Sequence, residues 1–462
     1  MTTRTRRLTL LTLLIPAAIA TAAIGQTSGT RSTQVVAPVA DGSSDNVTFS
    51  QDNRLVEYVG FDSAATNLVQ GDTNGVRDVF VLARNPSEGD LNGTLIRASV
   101  ASGGGQADGE SREPSISGQT GDRARCVTFQ SRATNLSSSD RSSDWDVYLY
   151  DLRRNATLLV STSNSDAVHG VVDGECEFVT FESRGRVYVR DLVRRRTARL
   201  ARGRNPDQQT DGKGVAYERG GQIYYQGFAR FRNRGRPKVK RVGREMLVTR
   251  NRAGQRGNGR SKNPTMDDRG AYVAFESTAT NLCSRNACTG VGSRDRNGRT
   301  SDIFRRTIDR RKAPTKDHMQ MVSYSQGCSS SNPRSRAVDA QGSGPSNNPA
   351  MTGAGENIVF DSEATNLRES SGIQVADANG SIRDVYYWNF PRGRKCGNVS
   401  RESRGSQRRE DGSGQPLNGA NVRPAASNRA NYVGWTSQAT GDWGEVNGAG
   451  IEDIFLRFLG GE

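Results

Sequence analysis

One short pattern recurs along the chain: an aliphatic residue, a small one, then an aromatic. The aromatics are Phe61, Phe129, Phe181, Tyr217, Phe275, Phe360 and Trp435. Two residues before them stand Val59, Val127, Val179, Val215, Val273, Ile358 and Val433, and between lie Gly60, Thr128, Thr180, Ala216, Ala274, Val359 and Gly434. Residues two apart in a strand share a face, so the bulky pair points one way and the small residue the other. Sheets of this kind stack, the aromatics of each pressing on the small face of its neighbour. Seven in series predict an all-β, seven-bladed β-propeller, in which radial packing buries both faces of every blade. Six blades is the alternative count.

Each unit carries further strands. A second follows the anchor, as in "DVFVL" (78–82), "DVYLY" (146–150), "DIFRR" (302–306) and "DVYYW" (384–388). An outer one comes next, as in "LIRASV" (95–100), "TLLVS" (157–161) and "EMLVT" (245–249), and a short innermost one, often opened by Pro, precedes the anchor, as in "EPSIS" (113–117) and "NPTM" (263–266). The seventh unit lacks its outer strand. The segment "STQVVAPVADG" (32–42) resembles the outer strand and exit loop of unit one, so residues 32–38 are expected to pair into the last blade, removing two exposed edges.

These units resemble TolB-type propeller repeats, relatives of WD repeats. The matching stretches are "SQDNRLVEYVGF" (50–61), "PTMDDRGAYVAFES" (264–277) with "DIF" (302–304), and "PAASNRANYVGWTS" (424–437) with "DIF" (453–455). The Ser-Pro-Asp-Gly turn of the family is intact nowhere. The resemblance implies a bacterial, extracytoplasmic binding protein and no single activity.

The connection after the anchor is long in five units and short in two, "FESRGR" (181–186) and "YERGGQ" (217–222). Four long ones carry Ala-Thr-Asn-Leu followed by Asp: Thr66, Asn67 and Asp78; Thr134, Asn135 and Asp146; Thr280, Asn281 and Asp302; Thr365, Asn366 and Asp384. The short ones have Arg186 and Gln222 where the Asp would be. Motif and Asp travel together, which suggests that each Asp accepts hydrogen bonds from loop backbone or from the Thr and Asn, bracing a long excursion on one binding face. A second reading is calcium. Asp72, Asn74 and Asp78, Asp295, Asn297 and Asp302, and Asp377, Asn379 and Asp384 space oxygen ligands around a turn Gly, without the terminal Glu of a full calcium loop. No other cofactor is indicated.

No catalytic residue is assigned. The only histidines are His169 and His318, and no Gly-x-Ser-x-Gly elbow occurs. A carbohydrate-active hydrolase or lyase using carboxylates at the central channel is the alternative to a non-enzymatic scaffold. Basic Arg4, Arg6 and Arg7 ahead of an apolar run predict a signal peptide over 1–25 and a single propeller domain over 26–462 in the cell envelope or outside it. Six cysteines suit disulfides there, with Cys283–Cys288, Cys126–Cys176 and Cys328–Cys396 the candidate pairs. The net charge of +15 is carried mainly by Arg and gathers between about 184 and 260. The partner expected for a monomer of this kind is a protein or an anionic envelope polymer. Nucleic acid is not indicated, because aromatics do not interleave the basic runs.

Overall fold

The computed structural model describes residues 33–36, 40–51, 56–84, 93–118, 124–162, 166–231, 238–283, 295, 297–309, 319–325, 340–353, 355–367, 379–390, 398–403, 419–439 and 451–459. The signal segment lies outside them. So do His318, Asp377, Cys288, Cys328 and Cys396.

Hydrophobic alternation builds seven four-stranded antiparallel sheets in a ring. Blade 1 runs outward through Ser44–Phe49, Tyr58–Ser63, Asp78–Arg84 and Gly93–Arg97. Blades 2 to 6 repeat this order, and blade 7 has Asn421–Ala426, Tyr432–Ser437 and Asp453–Phe458. Its outer strand is Thr33–Val35, with Thr33 opposite Arg457 and Val35 opposite Phe455. The amide of Val36 donates to the Ile454 carbonyl at 2.9 Å. Both ends of the chain therefore share one sheet, as the incomplete seventh unit predicts.

Every anchor aromatic stands opposite an aromatic on the next strand and stacks on it. Phe61 meets Phe80, Phe129 meets Tyr148, and Trp435 meets Phe455, with the seven ring-centroid separations between 5.5 and 6.2 Å. The apolar side chains form seven clusters, one at each blade–blade contact. Phe129 and Tyr148 of blade 2 pack on Val79, Val81 and Ala98 of blade 1. Phe61 and Phe80 of blade 1 pack on Ile454 and Leu456 of blade 7, which closes the circle. The small residue is needed for this fit: a Cβ on Gly60 would lie 2.8 Å from Ile116 Cδ1 of blade 2.

Two expectations are corrected. Proline does not open the inner strands. These begin three residues earlier, at Ser111, Ser261, Ser346 and Asn421, and Pro is their fourth residue. The outer strand of blade 4 is not 245–249 but Lys238–Leu247, because its partner Gln222–Phe231 continues far past the other blades' length. Cys126 and Cys176 form a disulfide that ties blade 2 to blade 3. Among the described residues no helix is long and apolar enough to cross a membrane.

Replacing Val36 by Pro removes the donor to Ile454 at the closure. It should lower stability by about 1–3 kcal/mol in urea unfolding. An unchanged midpoint would show that the ring does not depend on this strand.

Candidate functional site

In an antiparallel blade the connection after the anchor strand and the passage to the next blade emerge on the same side. That side is the loop face, and the recurring motif is built to join those two segments. It starts from the Ser closing each anchor strand. Ser63 Oγ accepts the Ala65 amide at 3.1 Å and is itself bonded by Ser44 Oγ of the inner strand at 3.0 Å. Ser131, Ser277 and Ser362 repeat both contacts with Ser111, Ser261 and Ser346. Next, Ala65, Ala133, Ala279 and Ala364 are buried, as are Leu68, Leu136 and Leu282.

Thr and Asn grip the strand entering the blade. The Thr66 amide and Oγ1 both donate to the Asp41 carboxylate at 2.6 Å, while Asn67 Oδ1 accepts the Asp41 amide at 3.1 Å. The Thr66 bond heads the causes that lower the pKa of Asp41. Thr134 and Asn135 hold Asp108 in the same way, at 2.6, 2.6 and 3.2 Å. In blade 5 Asn258 takes the acid's place, accepting from Thr280 at 2.8 Å and donating to Asn281 at 2.9 Å. In blade 6 Ser343 does so, with Thr365 and Asn366 at 3.1 and 2.7 Å. A Gly follows each gripped residue because the two segments lie almost in contact; a Cβ on Gly42 would sit 2.7 Å from the Ala64 carbonyl.

The motif Asp braces a different segment. Asp78 accepts Ser99 Oγ at 2.5 Å, and Ser99 lies just beyond the outer strand. Asp146 holds Ser161, Asp302 holds Ser323 and Asp384 holds Ser403, at 2.5, 2.7 and 2.6 Å. A serine of the outer connection is thus a donor to each Asp, and Asn74, Asn297 and Asn379 of the loops add to Asp78, Asp302 and Asp384. Gln222 in blade 4 does the same work, its Oε1 accepting from Thr249 at 2.7 Å. Burial lifts Asp302 to about 7, against the hydrogen bonds of Ser323 and Gln341.

The spacing that suggested calcium is occupied by donors of the chain itself. The Arg97 guanidinium lies 3.0 Å from Asp72 and 3.6 Å from Asp78, and Asn74 Nδ2 donates to Asp78 at 2.8 Å. Gln341 Nε2 donates to Asp295 at 3.0 Å and to Asp302 at 2.7 Å. These carboxylates face donors of the chain, while Asp72 Oδ2 and Asn297 Oδ1 are buried with no hydrogen-bond partner among the described residues. Among the described residues no group of three or more His, Cys, Asp or Glu could hold a metal. Cys283 is disulfide-bonded.

The central channel holds a feature that motif reading missed. The third residue of six inner strands, Asn46, Glu113, His169, Asn263, Asn348 and Arg423, and the second of blade 4's, Asn205, all have φ between 46° and 55°. The pairing register shifts at this point in every blade, marking a bulge. The amide freed by each bulge is taken by the residue that follows the previous blade's anchor aromatic. Glu113 donates to Asp62 at 2.9 Å, His169 to Gln130 at 3.0 Å, Asn205 to Glu182 at 2.9 Å, Asn263 to Glu218 at 2.9 Å, Asn348 to Glu276 at 2.9 Å and Arg423 to Asp361 at 3.3 Å. At the closure Thr436 donates to Asp45 at 2.7 Å, and Asp45 accepts the Asn46 amide at 2.8 Å. Side-chain amides run between blades as well: Asn205 donates to Asn263 at 3.0 Å, and Asn263 to Asn348 at 3.2 Å.

Acids converge on the channel, but as acceptors that join blades. Burial raises Asp62, against the pull of Arg77 and the Glu113 amide, and raises Asp361 to about 7, against Asn348 and Arg383. His169 and Glu113 differ: their side chains are each 36% exposed and bonded at 2.9 Å. Burial alone would lower His169, but Glu113, with Glu182 and Glu218 behind it, raises it. On the opposite face a cavity of about 710 Å³ opens over Phe178, Tyr225 and Phe228. Its cation–π position is already filled by Arg230, 4.3 Å from the Phe178 ring and paired with Glu177 and Asp191 at 2.7 Å.

Seven four-stranded blades and their closure make this a seven-bladed β-propeller. No protein-family model and no curated protein matches the sequence. Among solved structures the chain is similar to the tricorn protease, at 12% identity and a TM-score of 0.42 over 90% of this chain and 34% of that one. It is also similar to oligogalacturonate lyase from Vibrio parahaemolyticus, at 11% identity and 0.49 over 94% and 95%. TolB from Acinetobacter baumannii matches at 11% identity and 0.32 over 88% and 81%. The chain thus spans about a third of the tricorn protease. Such likeness concerns the fold alone, and the blade count rests on the strands described above.

Two outcomes are expected. Glu276→Ala strips the acceptor from Asn348 and Asn263 and should cost about 2–4 kcal/mol in denaturant unfolding, while Glu276→Gln costs less. Asp207, Asp267, Asp302 and Asp361 are each raised by burial to about 7 in the folded protein, from 3.8 for the free side chain. The folded chain therefore binds protons between about pH 4 and 7 that the unfolded chain does not, and stability falls as pH rises through that window. The melting temperature should be higher at pH 5.5 than at pH 8; the reverse order would contradict the assignment.

Proposed function

We propose that the protein is an exported, non-enzymatic scaffold that presents the loop face to a protein or an anionic envelope polymer. One observation carries the reading: the long connections of blades 1, 2, 5 and 6 are pinned twice, by Thr-Asn to the entering strand and by Asp to the outer Ser. Pinning of this kind preorganises a surface, which lowers the ordering cost of binding. The Cys126–Cys176 disulfide suits an oxidising compartment. The acids around the channel are engaged between blades, which leaves them poorly suited to general acid–base work.

The second reading, a hydrolase or lyase at the channel, is favoured by Glu113 and His169 alone. His169→Asn would remove the imidazole while keeping the left-handed backbone that Asn adopts in four other blades. If that substitution abolished turnover of an acidic glycan, the scaffold reading would fail.

The direct test replaces exposed residues of the blade 1 and 2 loops, Gln70 and Thr73, and Ser138, Ser139, Arg141, Ser143 and Asp144, with Gly or Ser, leaving both clamps in place. Retention of envelope protein or polymer by the immobilised chain should fall at least tenfold while the melting transition stays cooperative. Unchanged retention would remove the loop face from the function.

A further inference from the structure

The rim of long loops is broken at blades 3 and 4, and the gap is paved with arginine. Blade 3 turns from anchor to third strand through Arg184-Gly185, and blade 4 through Gly220-Gly221, all four residues having φ between 48° and 69°. Such two-residue turns leave the neighbouring passages uncovered. The Gly203 amide donates to the Gly185 carbonyl at 3.0 Å, which brings Arg202 and Arg204 to the first turn. Arg256 Nη2 donates to the Gly220 carbonyl at 3.0 Å, and Ser261 N to the Gly221 carbonyl at 2.9 Å, which brings Arg256 and Arg260 to the second. Arg202, Arg204, Arg256 and Arg260 are exposed, and Arg186 and Arg219 partly so.

Counter-charge is thin here. Arg219 is held by Glu245 at 2.6 Å, and Arg204 only loosely by Glu182 at 3.8 Å. Arg202, Arg256 and Arg260 make no ion pair among the described residues. Arg186 and Arg202 stand directly opposite each other in the strand register. Like charges so placed repel, a cost that a bound anion would turn into a gain.

We infer that this notch binds a linear polymer of phosphate groups, an inference that rests on the loop face being the recognition face. Among the described residues the exposed large apolar side chains, Leu158, Val193, Phe231 and Val242, lie on outer strands, at the far end of blade 4's third strand and in an opposite-face turn, so none of them supplies the notch with the apolar anchor that a protein interface centres on. Among the described residues it also lacks exposed aromatic rings on which single-stranded bases would stack. Two guanidinium forks facing each other across a strand pair match a tetrahedral phosphate, whose oxygens diverge, better than a planar carboxylate.

The test measures binding of fluorescent inorganic polyphosphate to the full chain by anisotropy. The variant Arg202→Ala/Arg256→Ala/Arg260→Ala should bind at least tenfold more weakly, with a shallower dependence on salt. A control of equal charge on the opposite face, Arg194→Ala/Arg195→Ala/Arg196→Ala, should bind as the parent does. Equal weakening by both variants, or equally tight binding of polygalacturonate, would overturn the inference. The loop-replaced variant of blades 1 and 2 should keep its polyphosphate affinity, so failure of the notch and failure of the long-loop reading are separately visible. Thermal melts of each variant establish that it is folded.

Discussion

The ring is held together where its wedges come closest, by a hydrogen bond that each blade offers the one before it. A bulge in the inner strand frees one backbone amide, and the residue after the preceding anchor aromatic accepts it. The exchange is made six times; at the closure Thr436 of blade 7 donates to Asp45 instead, and Asp45 accepts the Asn46 amide of its own strand. A left-handed conformation costs a non-glycine residue about 1–2 kcal/mol, so each bulge is stable only in company with its neighbour. This directional bond sets the height at which one blade meets the next. The seven apolar clusters, which have no direction of their own, can then fill the wedge-shaped space outside it.

The loop face uses the same logic further out. One motif residue after another is committed to a defined partner: the aromatic to its stacked ring, the acid to the next blade, Ser to the start of the loop, Ala and Leu to the interior, Thr and Asn to the entering strand, and the last Asp to the outer Ser. Repetition in a loop generally hints at repeated chemistry. Here it reflects a repeated joint between three segments, and Gln222 with Thr249 shows that the joint survives a change of residue types.

The blades were legible from the sequence because alternation of Val and Phe in a strand is a local signal. The closing strand was legible because one unit lacked a piece that the other end possessed. The partners of Thr66 and Asp78 were not, since Asp41 and Ser99 lie beyond the local strand pair and nothing in the loop names them. The signals existed as columns: Asp-Gly, Asn-Gly or Ser-Gly at 41, 108, 258 and 343, and Asp, Gln or Glu after six of the seven anchors. The channel belt was missed because its donors are backbone amides, which no residue type advertises. The length of the blade 4 hairpin was missed because Lys, Arg and Gly along an exposed edge carry no alternation.

Closure by Thr33–Val35 has a bearing on how such a chain comes to be made. The last blade draws on both extremities, so no circle exists until Asp453–Phe458 has been synthesised and released. Until then the molecule is an open row of sheets whose first and last members expose edges to solvent. The closing contact joins residues more than 400 apart in sequence.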